Sequence, residues 1–322
     1  MIENSYPEAL FEEIKEFLAR SSDATFAIVG CSSVALDLIA LFNNLGQSKR
    51  LLGVFDHHLQ NDQEDNKFGI PLKKISEQKP TFVVIALDEE KQVAIENLQG
   101  LLSVQTRIIF AGSKQYEFRD AVFSKICHSA HVPSLATGYP YTLVHIFQCL
   151  QNAAKLRLQG VVVEFGMFKG GTTVLLARLI DALGQSWKVL GFDTFSGFPP
   201  KRSLFDMYDH PDCTFDDLES VRRYTEGHNI EIVEGDIVQT VKRLQDEKIV
   251  LAFMDTDNFT PAAAAIEMIK DKVVVGGAIV FDHYTGRKRH RYTLGERIAA
   301  RPLEQDPRYF NLHDTGVFLR QS

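Results

Sequence analysis

The chain has 322 residues, 45% hydrophobic and 24% charged, a globular composition with length enough for two hydrophobic cores. A net charge of −7 argues against a general nucleic-acid binder, which needs a basic face to neutralise phosphates. No apolar run approaches the ~20 residues of a membrane span, and the first twenty residues are acidic and amphipathic, unlike a signal peptide. The four cysteines (Cys31, Cys127, Cys149, Cys213) are scattered without metal-ligand spacing, so a cytoplasmic protein with reduced thiols is expected.

Residues 7–20 place Leu10, Ile14, Phe17 and Leu18 on one helical face. Apolar strands are expected at 25–30, 51–56, 81–87 and 107–111, with a polar loop after the second and helices elsewhere between them. Continuous apolar strands alternating with helices predict a parallel sheet covered on both faces. The turn at 30–35, GCSSVA, keeps one of the three glycines of the dinucleotide fingerprint, and Asp56 closes the second strand where a ribose-binding acid would stand. Residues 113–135 read as a connector, and 141–158 as a helix opening a second α/β series. The strands of that series are expected at 160–164, 188–193, 230–233, 250–255, 277–282 and 315–319. The expected fold is therefore α/β, with two Rossmann-like domains at 1–125 and 126–322.

Most strands of the second series end in an acid or meet one just beyond the last apolar position, and ligands of open α/β sheets bind at these carboxyl ends. The turn EFGMFKGGTT (164–173) opens through glycines into a helix over 174–183. Gly166 permits the tight turn, while Gly170 and Gly171 let backbone approach a ligand. Thr172 and Thr173 offer hydroxyls and helix-start amides to an anion such as a carboxylate. Glu164 suits the ammonium of a methionine moiety. Asp193 follows about 20 residues later, where an acid can hold both ribose hydroxyls. Asp236 and Ile237 follow the third strand, placed to flank an adenine; Asp255 and Asp257 follow the fourth, Asp282 and His283 the fifth. Each acid alone reads equally as a cap or loop residue; together in one register they point to a site.

In these motifs, residues 133–322 resemble the macrocin O-methyltransferases, the TylF/MycF-type sugar methyltransferases of antibiotic biosynthesis. The resemblance rests on the glycine turn, FDTFSGFPP (192–200), EGDIVQTV (234–241), FMDTDNFTPAAAAIEMI (253–269), GGAIVFDHY (276–284) and DTGVFLR (314–320). It implies the class I methyltransferase sheet and S-adenosylmethionine held by Glu164, Gly166, Asp193, Ser196, Asp236 and Ile237. It also implies a divalent metal, Mg²⁺ or Mn²⁺, at positions that map onto Asp255, Asp282 and His283. Here an imidazole replaces the family's third carboxylate, Thr256 a glycine and Pro261 an acid. Imidazole suits Mn²⁺, Fe²⁺ or Zn²⁺ better than Mg²⁺. His283 reads alternatively as a general base, its ordinary pKa of about 6.5 suiting deprotonation of an acceptor, or as a plain partner of Asp282 or Asp255.

The long stretch 199–227 reads as a lid over the acceptor, carrying Phe205, Tyr208 and Phe215, with His210 as a second candidate base, or as a solvated excursion. The basic run 286–291, with Arg287, Lys288 and Arg289, favours an anionic small-molecule acceptor. The first domain resembles the small Rossmann-like domains that precede sugar-modifying enzymes and bind nucleotides or nucleotide-sugars; the alternative is a structural or dimerisation role. The expected activity is O-methylation of a sugar or small polar natural product. Its rivals are a nucleotide-dependent oxidoreductase using the first domain and a non-catalytic cofactor-binding protein. The oligomeric state stays open, a homo-oligomer included.

Overall fold

The computed structural model describes residues 6–59, 68–87, 90–111, 118, 120–138, 140–285 and 291–322. Two units divide the chain, Met1–Phe118 and Arg119–Ser322. The first runs α1 (Tyr6–Arg20), β1 (Phe26–Val29), α2 (Ser33–Asn44), β2 (Leu51–Asp56), β3 (Phe68–Pro71), α3 (Ile75–Gln78), β4 (Phe82–Ile85), α4 (Lys91–Leu98) and β5 (Arg107–Phe110). Its strands lie in the order β3-β2-β1-β4-β5, every pairing parallel. Side-chain alternation along β1 sends Phe26 and Ile28 to a core with Leu10, Ile14 and Phe42, and Ala27 and Val29 to a core with Ala94 and Leu98. Helices on both faces thus cover the sheet. Ser32 caps α2 by accepting from the Ala35 amide at 3.2 Å.

Strand β3 lies within the stretch that reads as a polar loop. Its four residues close the sheet edge and end in Pro71, which needs no further ladder partner there. Such a short edge strand has no periodicity to reveal it.

The second unit runs α5 (Ala121–His128), α6 (Thr142–Lys155), β6 (Val161–Phe165), α7 (Gly171–Ala182), β7 (Val189–Asp193), α8 (Leu218–Thr225), β8 (Ile230–Glu234), α9 (Ile237–Thr240), β9 (Ile249–Met254), α10 (Phe259–Ile269), β10 (Val273–Phe281), α11 (Leu294–Ala299), α12 (Arg301–Gln305), β11 (Tyr309–Asn311) and β12 (Val317–Arg320). The sheet order is β11-β12-β10-β9-β6-β7-β8. Strands β8 to β10 are mutually parallel through β7, β6 and β9, and β12 inserts antiparallel between β10 and β11. The chain reverses its winding at β6, so the crevice between β6 and its neighbours opens at the carboxyl edge. Every residue of β6 and β9 is buried, as continuous apolar runs demand of central strands.

Three boundaries differ from the sequence reading. Helix α5 belongs with the second unit, whereas the periodicity puts a boundary at 125/126; Phe123 packs on Phe147 with ring centroids 5.2 Å apart, and Arg178 of α7 donates to the Ser129 carbonyl at 3.2 Å. Helix α7 begins at Gly171, three residues early, so Thr172 and Thr173 lie in its first turn. Strand β10 begins at Val273, because its irregular pairing before Ala278 breaks the apolar pattern.

Candidate active site

The glycine turn sets the floor of the site. Phe165 ends β6, its carbonyl accepting from the Asp255 amide at 2.9 Å. Gly166 then turns at φ +93°, and a Cβ there would stand 2.0 Å from the Asp255 carbonyl oxygen. Only glycine lets the ends of β6 and β9 approach so closely. At Gly171 a Cβ would meet the Pro133 carbonyl oxygen at 2.3 Å, so the segment 132–138 lies directly on the start of α7. The Ser134 and Thr172 hydroxyls share a hydrogen bond of 2.8 Å there.

Around this turn is a cavity of about 510 Å³, within the range of small-ligand sites. Glu164 lines it, 1% exposed and hydrogen-bonded by the Thr173 hydroxyl. Burial pushes its carboxyl up to about 8, and the neighbouring charges of Asp255 and Asp193 add to the rise. A cationic ligand group would return it to the carboxylate. Asp193 is held by two backbone donors, Phe168 N and Phe195 N, both at 2.8 Å. Burial nevertheless keeps its carboxyl above the ordinary range. Asp236 caps α9 through the Val238 amide at 3.0 Å and pairs with Arg202, and Ile237 lines the wall beside it.

The ends of β9 and β10 bring a second group together. Asp255, Asp282 and His283 each offer a ligand atom within 4.8 Å of the other two. His283 Nε2 lies 3.0 Å from Asp257, 3.5 Å from Asp255 and 3.5 Å from Asp282. Burial opposes a charge on His283, but hydrogen bonds to Asp255 and Asp257 outweigh it and push its pKa up to about 12. The ordinary value that would make it a neutral-pH base is therefore not the one these surroundings produce. Burial, with the Asp282 charge, raises Asp255; burial also raises Asp282. Asp282 Oδ1 accepts from the Gly138 amide at 2.8 Å, while buried Oδ2 has no hydrogen-bond partner among the described residues. An orphaned carboxylate oxygen facing two further donors fits a cation.

Two further acids join this group, Asp257, which the strand-end register already marks, and Glu296, which sequence reading misses. Asp257 adopts φ +60°, and its amide donates to Glu296 of α11 at 3.2 Å. Glu296 is fully buried, and that burial keeps its carboxyl well above the usual range. In the sequence it is one glutamate of a short helix; only packing reveals it. Wall residues Val132, Pro133 and Leu135 come from the end of the connector and Thr137 from just beyond it.

The stretch 199–227 is anchored to α10. Asp206 accepts from the Thr260 amide at 2.8 Å and hydroxyl at 2.7 Å, and from the amides of Arg202 and Ser203. Tyr208 exchanges backbone bonds with the Asn258 side chain at 3.0 and 2.9 Å. Tyr208 and His210 line the cavity. Phe205 packs instead on Phe259, at 5.3 Å, and Phe215 on Phe168, at 5.9 Å.

Of the expected cofactor residues, Glu164, Gly166, Thr172, Asp193, Asp236 and Ile237 line the cavity. Gly170 caps α7 at φ +78° just outside the lining. Ser196 is exposed and also outside it, because the turn at Thr194, whose hydroxyl donates to Gly197 O at 2.6 Å, carries Ser196 outward. Asp255 and His283 line the cavity, and Asp282 lies behind them. Arg287 and Arg289 lie outside the described residues.

The sequence model of the macrocin O-methyltransferase (TylF) family matches residues 129–321. The chain belongs to this family. It is an S-adenosylmethionine-dependent methyltransferase, and its second sheet is the class I sheet that the motifs imply. Among solved structures, this methyltransferase is similar to the O-methyltransferase NovP (19% identity, 56% of this chain and 79% of that one, TM-score 0.47). It is similar also to the calicheamicin methyltransferase CalS11 (22%, 62% and 89%, TM-score 0.45) and to the S-adenosylhomocysteine-bound Podospora anserina methyltransferase PaMTH1 (15%, 66% and 99%, TM-score 0.39). None of the curated proteins matches the chain.

Proposed function

We propose that this methyltransferase methylates a hydroxyl of a sugar or other small polar natural product. The observation that carries the reading is the cavity at the carboxyl ends of β6, β7, β9 and β10, lined by buried Glu164 and half-buried Asp193, Asp236 and Asp255, in a chain of the macrocin O-methyltransferase family. In this reading Glu164 and the first turn of α7 receive the methionine end of the cofactor, with Gly170 shaping that turn. Asp193 holds the ribose hydroxyls, and Asp236 and Ile237 border the adenine. The basic run with Arg287 and Arg289 supports an anionic group on the acceptor.

When bound, S-adenosylmethionine supplies a methyl group already activated on a sulfonium, so the protein's work is alignment and proton removal. Tyr208 and His210 hold the acceptor from the anchored loop. Asp255, raised toward neutrality by burial, takes the hydroxyl proton as the oxygen–methyl bond forms. His283 and Asp282 fix the orientation of Asp255.

Asp255, Asp282 and His283 also form the donor set for the family's divalent metal. A bound ion would acidify an acceptor hydroxyl, and the imidazole favours Mn²⁺ over Mg²⁺. A second reading rests on the His283 Nε2 distances: a protonated His283 supplies the positive charge itself. Chelation separates the two, abolishing turnover in the first and leaving it intact in the second. A chelator-insensitive enzyme whose His283→Ala variant keeps full activity would contradict both.

The decisive experiment incubates the enzyme with S-adenosylmethionine and a panel of sugars, sugar nucleotides and polyhydroxylated small molecules, and locates the added methyl by mass spectrometry and NMR. Methylation at oxygen is expected. Transfer confined to nitrogen or carboxylate acceptors would sink the reading.

A further inference from the structure

We propose that Asp56, His57 and His58 in the first unit bind a divalent transition-metal ion of the zinc class, with Glu90 holding the two imidazoles. The four residues meet at the carboxyl edge of the first sheet. Asp56 is the last residue of β2, the two histidines follow it, and Glu90 immediately precedes α4, beyond the end of β4. Strand β1 lies between β2 and β4, so the cluster spans the place where this sheet reverses its winding.

The geometry is that of converging ligands. Glu90 Oε2 lies 3.3 Å from His57 Nε2 and 2.9 Å from His58 Nε2. The two rings sit 4.0 Å apart, and Asp56, His57 and His58 each present a ligand atom within 4.8 Å of the others. Bonds of about 2.0–2.2 Å in a tetrahedron put neighbouring ligand atoms roughly 3.3–3.6 Å apart. The Asp56, His57 and His58 atoms need only a small adjustment to close on an ion, while Glu90 fixes the two rings.

A second observation points to a ligand independently. The His57 side chain is 7% exposed, and its Nδ1 has no hydrogen-bond partner among the described residues. Buried polar atoms are nearly always satisfied, and with Nε2 turned to Glu90 the orphaned Nδ1 is the nitrogen left for an ion shared with Asp56 and His58. The support around the cluster is in place as well. The Asp56 carboxylate is oriented by the His58 amide at 2.8 Å and the Cys31 amide at 3.2 Å, as ligating carboxylates are held in metal sites.

Two imidazoles and a carboxylate select zinc-class ions over Mg²⁺ or Ca²⁺, which prefer all-oxygen shells. Three protein donors leave the fourth position of a tetrahedral shell to water or another ligand, and Glu90, bonded to both imidazoles, ties the end of β2 to the start of α4. It is distinct from the Asp255 group, which belongs to the other unit.

The test uses the full chain carrying His283→Ala, which removes the imidazole of the second unit's donor set, and assigns the bound ion by the His58 variant below. After chelator treatment, Zn²⁺ uptake is measured by equilibrium dialysis, and Co²⁺ is added in parallel as a spectroscopic probe. One tightly bound Zn²⁺ per chain and visible absorption of tetrahedral Co²⁺ are expected. Adding His58→Ala, at a side chain 66% exposed and therefore harmless to folding, should weaken Zn²⁺ binding at least tenfold with an unchanged circular dichroism spectrum. No bound Zn²⁺, or equal affinity with and without His58, would overturn the proposal.

Discussion

At the scale of single residues, the cofactor reading turns on two acids. Asp193 carries both the proposed ribose hydrogen bonds and the two backbone bonds that hold the turns at Phe168 and Phe195. Hydrogen bonds to a charged group contribute about 1.5–3 kcal/mol each. Asp193→Ala should therefore weaken S-adenosylmethionine binding by roughly tenfold or more for each ribose hydrogen bond it removes; unchanged affinity by titration calorimetry would place the ribose elsewhere. Glu164 gives a pH prediction. Its carboxyl, raised from 4.5 to about 8, holds a proton in the folded apoenzyme over a range where the unfolded chain has lost it. Stability of the apoenzyme should fall as pH rises from about 4.5 to about 8, because the folded state binds the extra proton. Cofactor affinity should rise over the same window, since an ammonium favours the carboxylate, and binding should release a proton. Calorimetry in buffers of different ionisation enthalpy reads that release, and a Glu164→Gln variant should lose it.

At the scale of elements, the turn and the anchored loop make different demands. Gly166→Ala sets a Cβ against the Asp255 carbonyl at a positive φ. Overpacking of this kind costs about 1–3 kcal/mol, with backbone strain added, so the melting temperature should drop by several degrees. Asp206→Ala removes the bonds that tie the loop to α10. It should raise KM for the acceptor while leaving cofactor affinity unchanged, and a fall in both would assign the loop to the cofactor instead. The strand ends bearing Glu164, Asp193, Asp255 and Asp282 were legible in sequence because each closes an uninterrupted apolar run. The wall formed by Val132, Pro133, Leu135 and Thr137 was not, since an extended segment packed on a helix start has neither helical nor strand periodicity. Glu296 was illegible for another reason: its burial depends on how α11 folds back against the ends of β9 and β10, which local pattern does not encode. Ser196 stands exposed outside the cavity lining because of a turn inside FDTFSGFPP, a detail below the resolution of motif spacing.

At the scale of the whole molecule, each unit has its own cores, so the two should be separable. A chain starting at Arg119 should fold and bind S-adenosylmethionine as the full protein does. One starting at 126 cuts α5 and exposes the Phe147 surface that Phe123 covers, and it should melt lower by differential scanning calorimetry. Equal melting of the two would return the boundary to 125/126. The bond from the Gly138 amide to Asp282 has a kinetic consequence. It joins residues 144 positions apart, across nearly the whole sheet, and a Cβ on Gly138 would stand 1.8 Å from the Asp282 carbonyl oxygen. Pairings of such long range form slowly, because the loop between them must first be closed. During refolding, helical signal should therefore return before cofactor binding does. On the ribosome, the pocket cannot be completed until β10 has emerged, so a nascent chain stopped short of residue 282 should carry a folded first unit and an unfinished site.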